Sequence, residues 1–157
     1  MDISTQYVRL CLKAKEIQAL SPEGESGSWY VDGEKLGDVL GVRLTNTEKK
    51  LYKERHEGKC LIWLPSQDQL QEMFSSGMFS LDALFPLDTW SLQLSFFGFM
   101  YEVNLSTVQD ETIRFERSPY AYQFCSLEQL WLAFIMKKKY NKIWVKGEWA
   151  EETGHVI

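Results

Sequence analysis

Side chains able to do acid–base or nucleophilic chemistry are few in this sequence. It holds two histidines, His56 and His155, and three cysteines, Cys11, Cys60 and Cys125. A nucleophilic Ser or Cys needs a base beside it, most often His. His56 falls in a charge-dense stretch and His155 close to the end of the sequence, so neither position suggests a rigid catalytic site. His56-x-x-x-Cys60 has the spacing of two metal ligands on one helix face, whereas a structural zinc site needs four ligands. Asp68, Glu72, Asp82 and Asp88 are the nearest set of carboxylates to a glycosidase-like pair. Asp68 and Glu72, however, stand four apart at a helix start, where the dipole favours acids. Gly37-Asp38-Val39-Leu40-Gly41 lacks the Lys-Ser/Thr of a phosphate loop, and no Gly-x-Gly-x-x-Gly occurs. The expectation is a protein that is not an enzyme and uses no metal and no cofactor.

Features suited to binding are more prominent. Lys137, Lys138, Lys139 and Lys142 lie beside Tyr140 and Trp144, a combination able to touch phosphate and stack on bases. The same lysines also suit the negative end of a helix dipole. The net charge of −5 disfavours direct nucleic-acid binding. The charge is uneven: residues 61–125 hold Arg114 and Arg117 against eight Asp/Glu, net −6. That segment also carries most of the phenylalanines. Aromatic residues make up 14% of the chain, as six Trp, seven Tyr and nine Phe. Phe96-Phe97-Gly98-Phe99-Met100-Tyr101 puts rings on both faces of an extended segment. If one face is open, Phe97, Phe99 and Tyr101 form an aromatic patch of the kind found at interfaces. Tyr120 and Tyr122 add two rings in a loop, and Asp82 and Asp88 lie in the acidic stretch. The expected binding surface is therefore Asp82, Asp88, Phe97, Phe99, Tyr101, Tyr120 and Tyr122. A basic protein, such as one that itself binds nucleic acid, complements it in charge.

These residues need a scaffold. A length of 157 residues suits one domain, 1–157, with 45% hydrophobic and 25% charged residues. This composition excludes a disordered chain, a collagen-like repeat and a disulfide scaffold. Three widely spaced cysteines and no basic-then-apolar leader suggest free thiols in the cytoplasm. No apolar run approaches the ~20 residues of a membrane helix, so no membrane contact is expected.

Apolar spacing predicts a first helix over 5–20, capped by Ser4 or Thr5 and stopped by Ser21-Pro22. Trp29-Tyr30-Val31, Asp32-Gly33 and Glu34-Lys35-Leu36 read as a hairpin, and Val39, Leu40, Val42 and Leu44 as another strand. Residues 45–59 read as an exposed, mobile charged helix starting at Thr45 or Thr47. Residues 60–64 are apolar on both faces, as a central strand is. Ser66-x-x-Gln69 is a capping box that opens a helix over 66–76, with Gly77 at its end and a further helical turn over 80–85. Trp90, Leu92, Leu94 and Phe96 alternate with polar residues, so 90–117 reads as an antiparallel hairpin turning at Asp110-Glu111. Gly98 suggests a bulge or a close backbone approach. Ser126-x-x-Gln129 opens a helix over 127–139 whose buried stripe is Leu127, Leu130, Trp131 and Phe134, with Asn141 as its left-handed cap. A small hairpin through Lys146-Gly147 follows, and residues 150–157 read as a frayed tail. The expected fold class is α+β: one domain, an antiparallel sheet centred on 60–64 and 90–117, and helices packed mainly on one face.

Two segments carry a family resemblance. Ile62-Trp63-Leu64-Pro65-Ser66-Gln67-Asp68-Gln69-Leu70-Gln71-Glu72-Met73 resembles the Trp-Leu-Pro-x-Gln-x-Gln-Leu-Gln segment of small uncharacterised proteins encoded in phages and prophages of Gram-positive and gut bacteria. Residues 126–149, with Leu-Glu-Gln-Leu-Trp-Leu-Ala-Phe and then Tyr-Asn-Lys-Ile-Trp, resemble the C-terminal part of the same group. The resemblance implies a phage accessory protein in a bacterial host cell and carries over no catalytic residue. The expected function is a non-enzymatic protein–protein interaction with a host or phage protein, plausibly inhibition of a host defence system such as a CRISPR nuclease. The alternatives are a small-molecule binder, for example of a nucleotide signal, and a homo-oligomeric structural or assembly protein.

Overall fold

The structure is a computed structural model and describes residues 1–22, 28–32, 42–55, 61–75, 89–104 and 114–152. The first half runs α1 (Thr5–Lys13), α2 (Lys15–Gln18), β1 (Ser28–Asp32), β2 (Val42–Leu44), α3 (Asn46–Arg55), β3 (Leu61–Leu64) and α4 (Gln67–Ser75). The second half runs α5 (Thr89–Met100), β4 (Tyr101–Asn104), β5 (Arg114–Arg117), α6 (Leu127–Tyr140), β6 (Lys142–Val145) and β7 (Glu148–Glu151). The class is α+β, with every described strand pair antiparallel. Instead of one sheet, the described strands form three: β2-β1-β3, β4-β5 and β6-β7.

The centre of the molecule is α6. Residues 129–136 are all buried, so this helix is covered on every side and not along one stripe. Leu127, expected on the buried stripe, is 50% exposed. Helices α1, α4 and α5 pack around α6, and β6 lies against its C-terminal end. Phe134 sits among four rings, with centroids 5.0 Å from Phe74, 5.4 Å from Phe96, 5.5 Å from Phe99 and 5.5 Å from Trp131. Phe96 lies flat on Trp131 at 3.9 Å. The local signals of α6 are as expected. Ser126 Oγ accepts the Gln129 N–H, Asn141 takes the left-handed cap at φ 53°, and Lys137, Lys138 and Lys139 occupy the last turn.

The first helix is interrupted. Ser4 caps it as expected, accepting the Tyr7 N–H, but Ala14 breaks the run at φ −83°, ψ 72°. Tyr7, Val8, Leu10, Cys11, Ala14 and Ile17 are fully buried. Burial pushes the Cys11 thiol well above its ordinary range, so it packs as a small apolar group. After the break, Gln18 faces β3: its carboxamide accepts the Trp63 N–H and donates to the Trp63 carbonyl, both at 2.9 Å. Strand β3 is an edge of its sheet, not the centre expected from residues 60–64; β1 is the middle strand. Its side chains are nonetheless buried, because α1 lies along it and the Tyr7 hydroxyl bonds the Pro65 carbonyl at 2.6 Å.

Strand β1 does pair with residues near the expected second strand, in register Ser28↔Leu44 and Tyr30↔Val42. The expected hairpin arm Glu34-Lys35-Leu36 lies outside the described residues. Helix α3 opens on Thr45 in a capping box with Glu48, whose carboxylate accepts the Thr45 N–H and Oγ1–H, each at 2.8 Å. It is tied to β1 through Lys49, 3.0 Å from the Tyr30 hydroxyl, and Tyr52, 2.7 Å from Asp32. Helix α4 begins as expected, with the Ser66 N–H on Gln69 Oε1 at 2.9 Å and the Gln69 N–H on Ser66 Oγ at 3.3 Å. Gly77 and the turn over 80–85 lie outside the described residues.

Residues 89–100 are the main correction. They form a helix, not the first strand of a hairpin. The segment satisfies both periods: Leu92, Leu94 and Phe96 alternate, but Leu92, Phe96 and Phe99 also recur at helical spacing. Packing against α6 selects the helix and buries those three, at 9%, 7% and 9% exposure. The strand begins only at Tyr101, and β4-β5 keeps the expected antiparallel pairing, with Tyr101 opposite Arg117. Gly98 makes neither a bulge nor a close approach; a Cβ there would meet nothing within 4 Å. The final hairpin forms as expected, with Lys146 at φ 51° and Gly147 at φ 87° in the turn. Of the tail expected to fray over 150–157, residues 150–152 are held, and residues 153–157 lie outside the described residues. Strand β7 reaches Glu151, and the Glu152 N–H bonds the Asn141 carbonyl at 2.8 Å. The Trp149 indole donates to the Leu10 carbonyl at 3.0 Å, and Lys142 pairs with Glu16, so this hairpin closes over the break in the first helix.

Asp2 joins two helix starts. Its carboxylate accepts from the Ser4 N–H at 2.7 Å, the Ser126 hydroxyl at 2.6 Å and the Gln129 amide at 2.7 Å. Partial burial pushes its pKa up, but the bonds from Ser126, Ser4 and Gln129 outweigh that, and the net shift is below the ordinary 3.8. A carboxylate depressed on folding stabilises the fold above its unfolded pKa. It loses that contribution as pH falls through the folded value. Asp2→Asn is therefore expected to lower stability at pH 7 by about 1–2 kcal/mol, given the charge-assisted bonds lost. Urea titrations at pH 7 and at ~pH 2 should show the difference from wild type shrinking at acid pH.

Candidate functional site

Two surfaces meet at the α5–β4 junction. The first is an aromatic patch that follows from the dual periodicity of α5. Once Leu92, Phe96 and Phe99 turn inward, Leu94 and Phe97 turn outward. Leu94 is 67% exposed and Phe97 40% exposed. Phe97 meets Tyr101 at 4.8 Å and Phe115 of β5 edge-on at 5.3 Å, and Phe115 is itself 52% exposed. Tyr101 stands opposite Arg117 on the hairpin. Arg117 is 5.2 Å from the Tyr122 ring, whose residue is 64% exposed. The Arg117 fork is also a fastener, donating to the carbonyls of Ala121 at 3.1 Å and Phe124 at 2.9 Å.

Of the seven residues expected to form a surface, three lie together here: Phe97, Tyr101 and Tyr122. Phe99 does not belong to it. It is buried, edge-on to Phe134 and 5.8 Å from Tyr120. Tyr120 is half-buried, packed on Phe124 at 5.3 Å, and its hydroxyl oxygen accepts the Trp144 N–H at 2.8 Å. Burial pushes its pKa up to about 12, so it stays a neutral phenol. Asp82 and Asp88 lie outside the described residues. Leu94 and Phe115 are members that the sequence reading missed; helical spacing from Phe97 points to the first, and the strand pattern of residues 112–117 to the second.

The second surface is a cleft of about 380 Å³ on the other side of the hairpin. Side chains alternate along β4, so Tyr101 belongs to the patch while Glu102 lines the cleft. Lys137 and Lys138 of the last turn of α6 line it too, together with Ser118, Tyr120 and the Ser95, Gly98 and Phe99 positions of α5. Two of the lysines read from the sequence as able to touch phosphate or to complement the helix dipole, Lys137 and Lys138, thus line a cavity. Lys137 pairs with Glu152 at 2.9 Å.

Among the described residues, no three His, Cys, Asp or Glu side chains come together to hold a metal. His56, Cys60 and His155 lie outside the described residues. No described helix is long and apolar enough to cross a membrane. The patch offers an apolar docking surface, and the cleft offers polar and charged groups. In comparisons with protein-family models, curated proteins and solved structures, the chain matches none.

Proposed function

We propose that this chain is a non-enzymatic binding protein that engages a basic protein partner through the patch of Leu94, Phe97, Tyr101 and Phe115. The observation that carries this reading is the mutual contact of three rings at the surface, Phe97 with Tyr101 and with Phe115, two of them 40% or more exposed. Aromatic anchors of this kind supply much of the binding energy at protein interfaces. The choice of a basic partner rests on charge, since residues 61–125 carry a net −6 and the patch lies within that segment. The resemblance of residues 62–73 and 126–149 to phage and prophage accessory proteins supplies the setting. In it the partner is a host protein in the bacterial cytoplasm, such as a basic nuclease of a defence system, and binding inhibits it.

The test uses the intact chain and a Phe97→Ser/Phe115→Ser variant, with folding checked by circular dichroism. Wild type is expected to retain one specific basic protein from host lysate at low salt and release it as salt rises. The variant is expected to bind that protein at least about 30-fold more weakly, the effect of losing a hot-spot residue. Equal retention by the folded variant overturns the patch as the docking surface. Self-association of wild type in light scattering, lost in the variant, overturns the basic partner in favour of a second copy of the chain.

A further inference from the structure

The cleft behind the hairpin has properties that a partner protein docked on the patch does not use. Ser118 is 8% exposed and lines the cavity. Its backbone is satisfied, the N–H by the Met100 carbonyl at 2.7 Å and the carbonyl by the Tyr122 N–H at 3.1 Å. Its hydroxyl bonds no described residue. The oxygen is open to the cleft, so it is available to bond something that enters.

The ionic groups around it are also uncommitted. Lys137 is balanced by Glu152, but Lys138 and Glu102 line the same cleft without an ion pair to each other or to any described residue. They offer one free charge of each sign. The rings of Phe99 and Tyr120, set edge-to-face at 5.8 Å, line the same cleft. The phenol oxygen of Tyr120 already accepts from Trp144, which leaves its O–H as a donor. A volume of about 380 Å³ is at the small end of ligand sites, the size for one compact molecule.

We infer that this cleft binds a small zwitterion with a flat apolar body, of the aromatic α-amino acid type. The ligand's carboxylate meets Lys138 and the Ser118 hydroxyl, its ammonium meets Glu102, and its ring packs on Phe99 and Tyr120. A plain anion satisfies only one side, because Glu102 repels it; a plain cation meets Lys138 in the same way. A molecule carrying both charges pairs each group and brings no net charge into a cleft that has none to spare. This site lies on the opposite side of β4 from the patch, so its occupancy is independent of the protein partner.

The experiment is an NMR titration of the full chain with L-phenylalanine, L-tyrosine and L-tryptophan, set against N-acetylphenylalanine and phenylalanine amide. The acetyl compound lacks the cation and the amide lacks the anion. At least one free amino acid is expected to shift the resonances of Ser118, Glu102 and Lys138 and to bind about tenfold or more tighter than either blocked analogue, the loss expected for one charge-assisted bond. Glu102→Gln and Lys138→Met change exposed residues and leave the fold intact. Each is expected to weaken the free amino acid, and Glu102→Gln to leave the acetyl compound unweakened. No shift at the cleft up to millimolar concentration, or equal binding of free and blocked forms, overturns the inference. Loss of the aromatic patch by Phe97→Ser/Phe115→Ser is expected to leave this titration unchanged, which separates the two sites.

Discussion

Phe134→Ala is expected to cost about 3–5 kcal/mol, the range for removing a buried phenylalanine from a packed core. The side chain is fully buried at the middle of α6, whose residues 129–136 are all buried. It touches rings from three elements: Phe74 of α4, Phe96 and Phe99 of α5, and Trp131 of its own helix. Truncation removes the ring's transfer energy and also leaves a cavity, because Phe96 is held flat on Trp131 and cannot follow the vacated space. A domain of this size has about 5–15 kcal/mol in hand, so the loss is a large fraction of the whole. Thermal unfolding should fall by about 10 °C or more. Phe134→Leu keeps most of the volume and should cost clearly less. The contrast with Phe97 is diagnostic: a surface ring changed to Ser should move stability by no more than about 1 kcal/mol. A small loss in Phe134→Ala, read by urea unfolding with an unchanged slope, would sink the view that α4 and α5 are held on α6 by this ring.

What was legible in the sequence follows the range of the interaction concerned. Signals that act within one turn were read correctly. The Ser66–Gln69 capping box, the Ser126 cap, the Asn141 left-handed position and the Lys146-Gly147 hairpin each need residues three or four apart at most. At Thr45 the helix start was read, as one of two choices, but its capping box with Glu48 was not. Signals that depend on a distant partner were not legible. Residues 89–100 carry both the strand and the helix period, and only the stacking of Phe96 on Trp131, 35 positions away, decides between them. The burial of residues 61–64 reads as a central strand because sequence cannot tell a neighbouring strand from a covering helix. The patch was half legible: excess rings were localised to residues 96–101, but a helix buries Phe99 where a strand would have aligned it with Phe97 and Tyr101. The cleft as such was not legible, although Phe99, Tyr120, Lys137 and Lys138 of its lining were singled out separately. It assembles Glu102, Ser118 and Lys138 from three segments, and of these only Lys138, within its lysine run, stands out in the sequence.

The second large effect is expected at a residue that looks like ordinary surface. Gln18→Ala should lower stability by about 2–4 kcal/mol, because the Gln18 carboxamide does the work of a missing strand. Strand β3 ends its sheet, and an edge strand presents backbone groups in need of partners. At Trp63 those groups are not in water, since the residue is 2% exposed. Gln18 meets the N–H and the carbonyl together, each at 2.9 Å, with the pairing geometry of a peptide unit. Alanine leaves both unmade in a site that water reaches poorly, at about 1–3 kcal/mol for each group. Trp63 has little margin for this, because its indole N–H already lacks an acceptor. Gln18→Glu separates the two bonds. The carboxylate still accepts the N–H but faces the Trp63 carbonyl with a negative charge and no donor, so it should be at least as damaging at pH 7 as alanine. Protonating that glutamate restores a donor, and the penalty should ease below its pKa. Amide exchange gives the local reading: the Trp63 N–H should lose protection in Gln18→Ala by more than the amides of α6 do. If exchange at Trp63 and at α6 rises equally, the edge is closed by the helix as a whole and not by this one side chain.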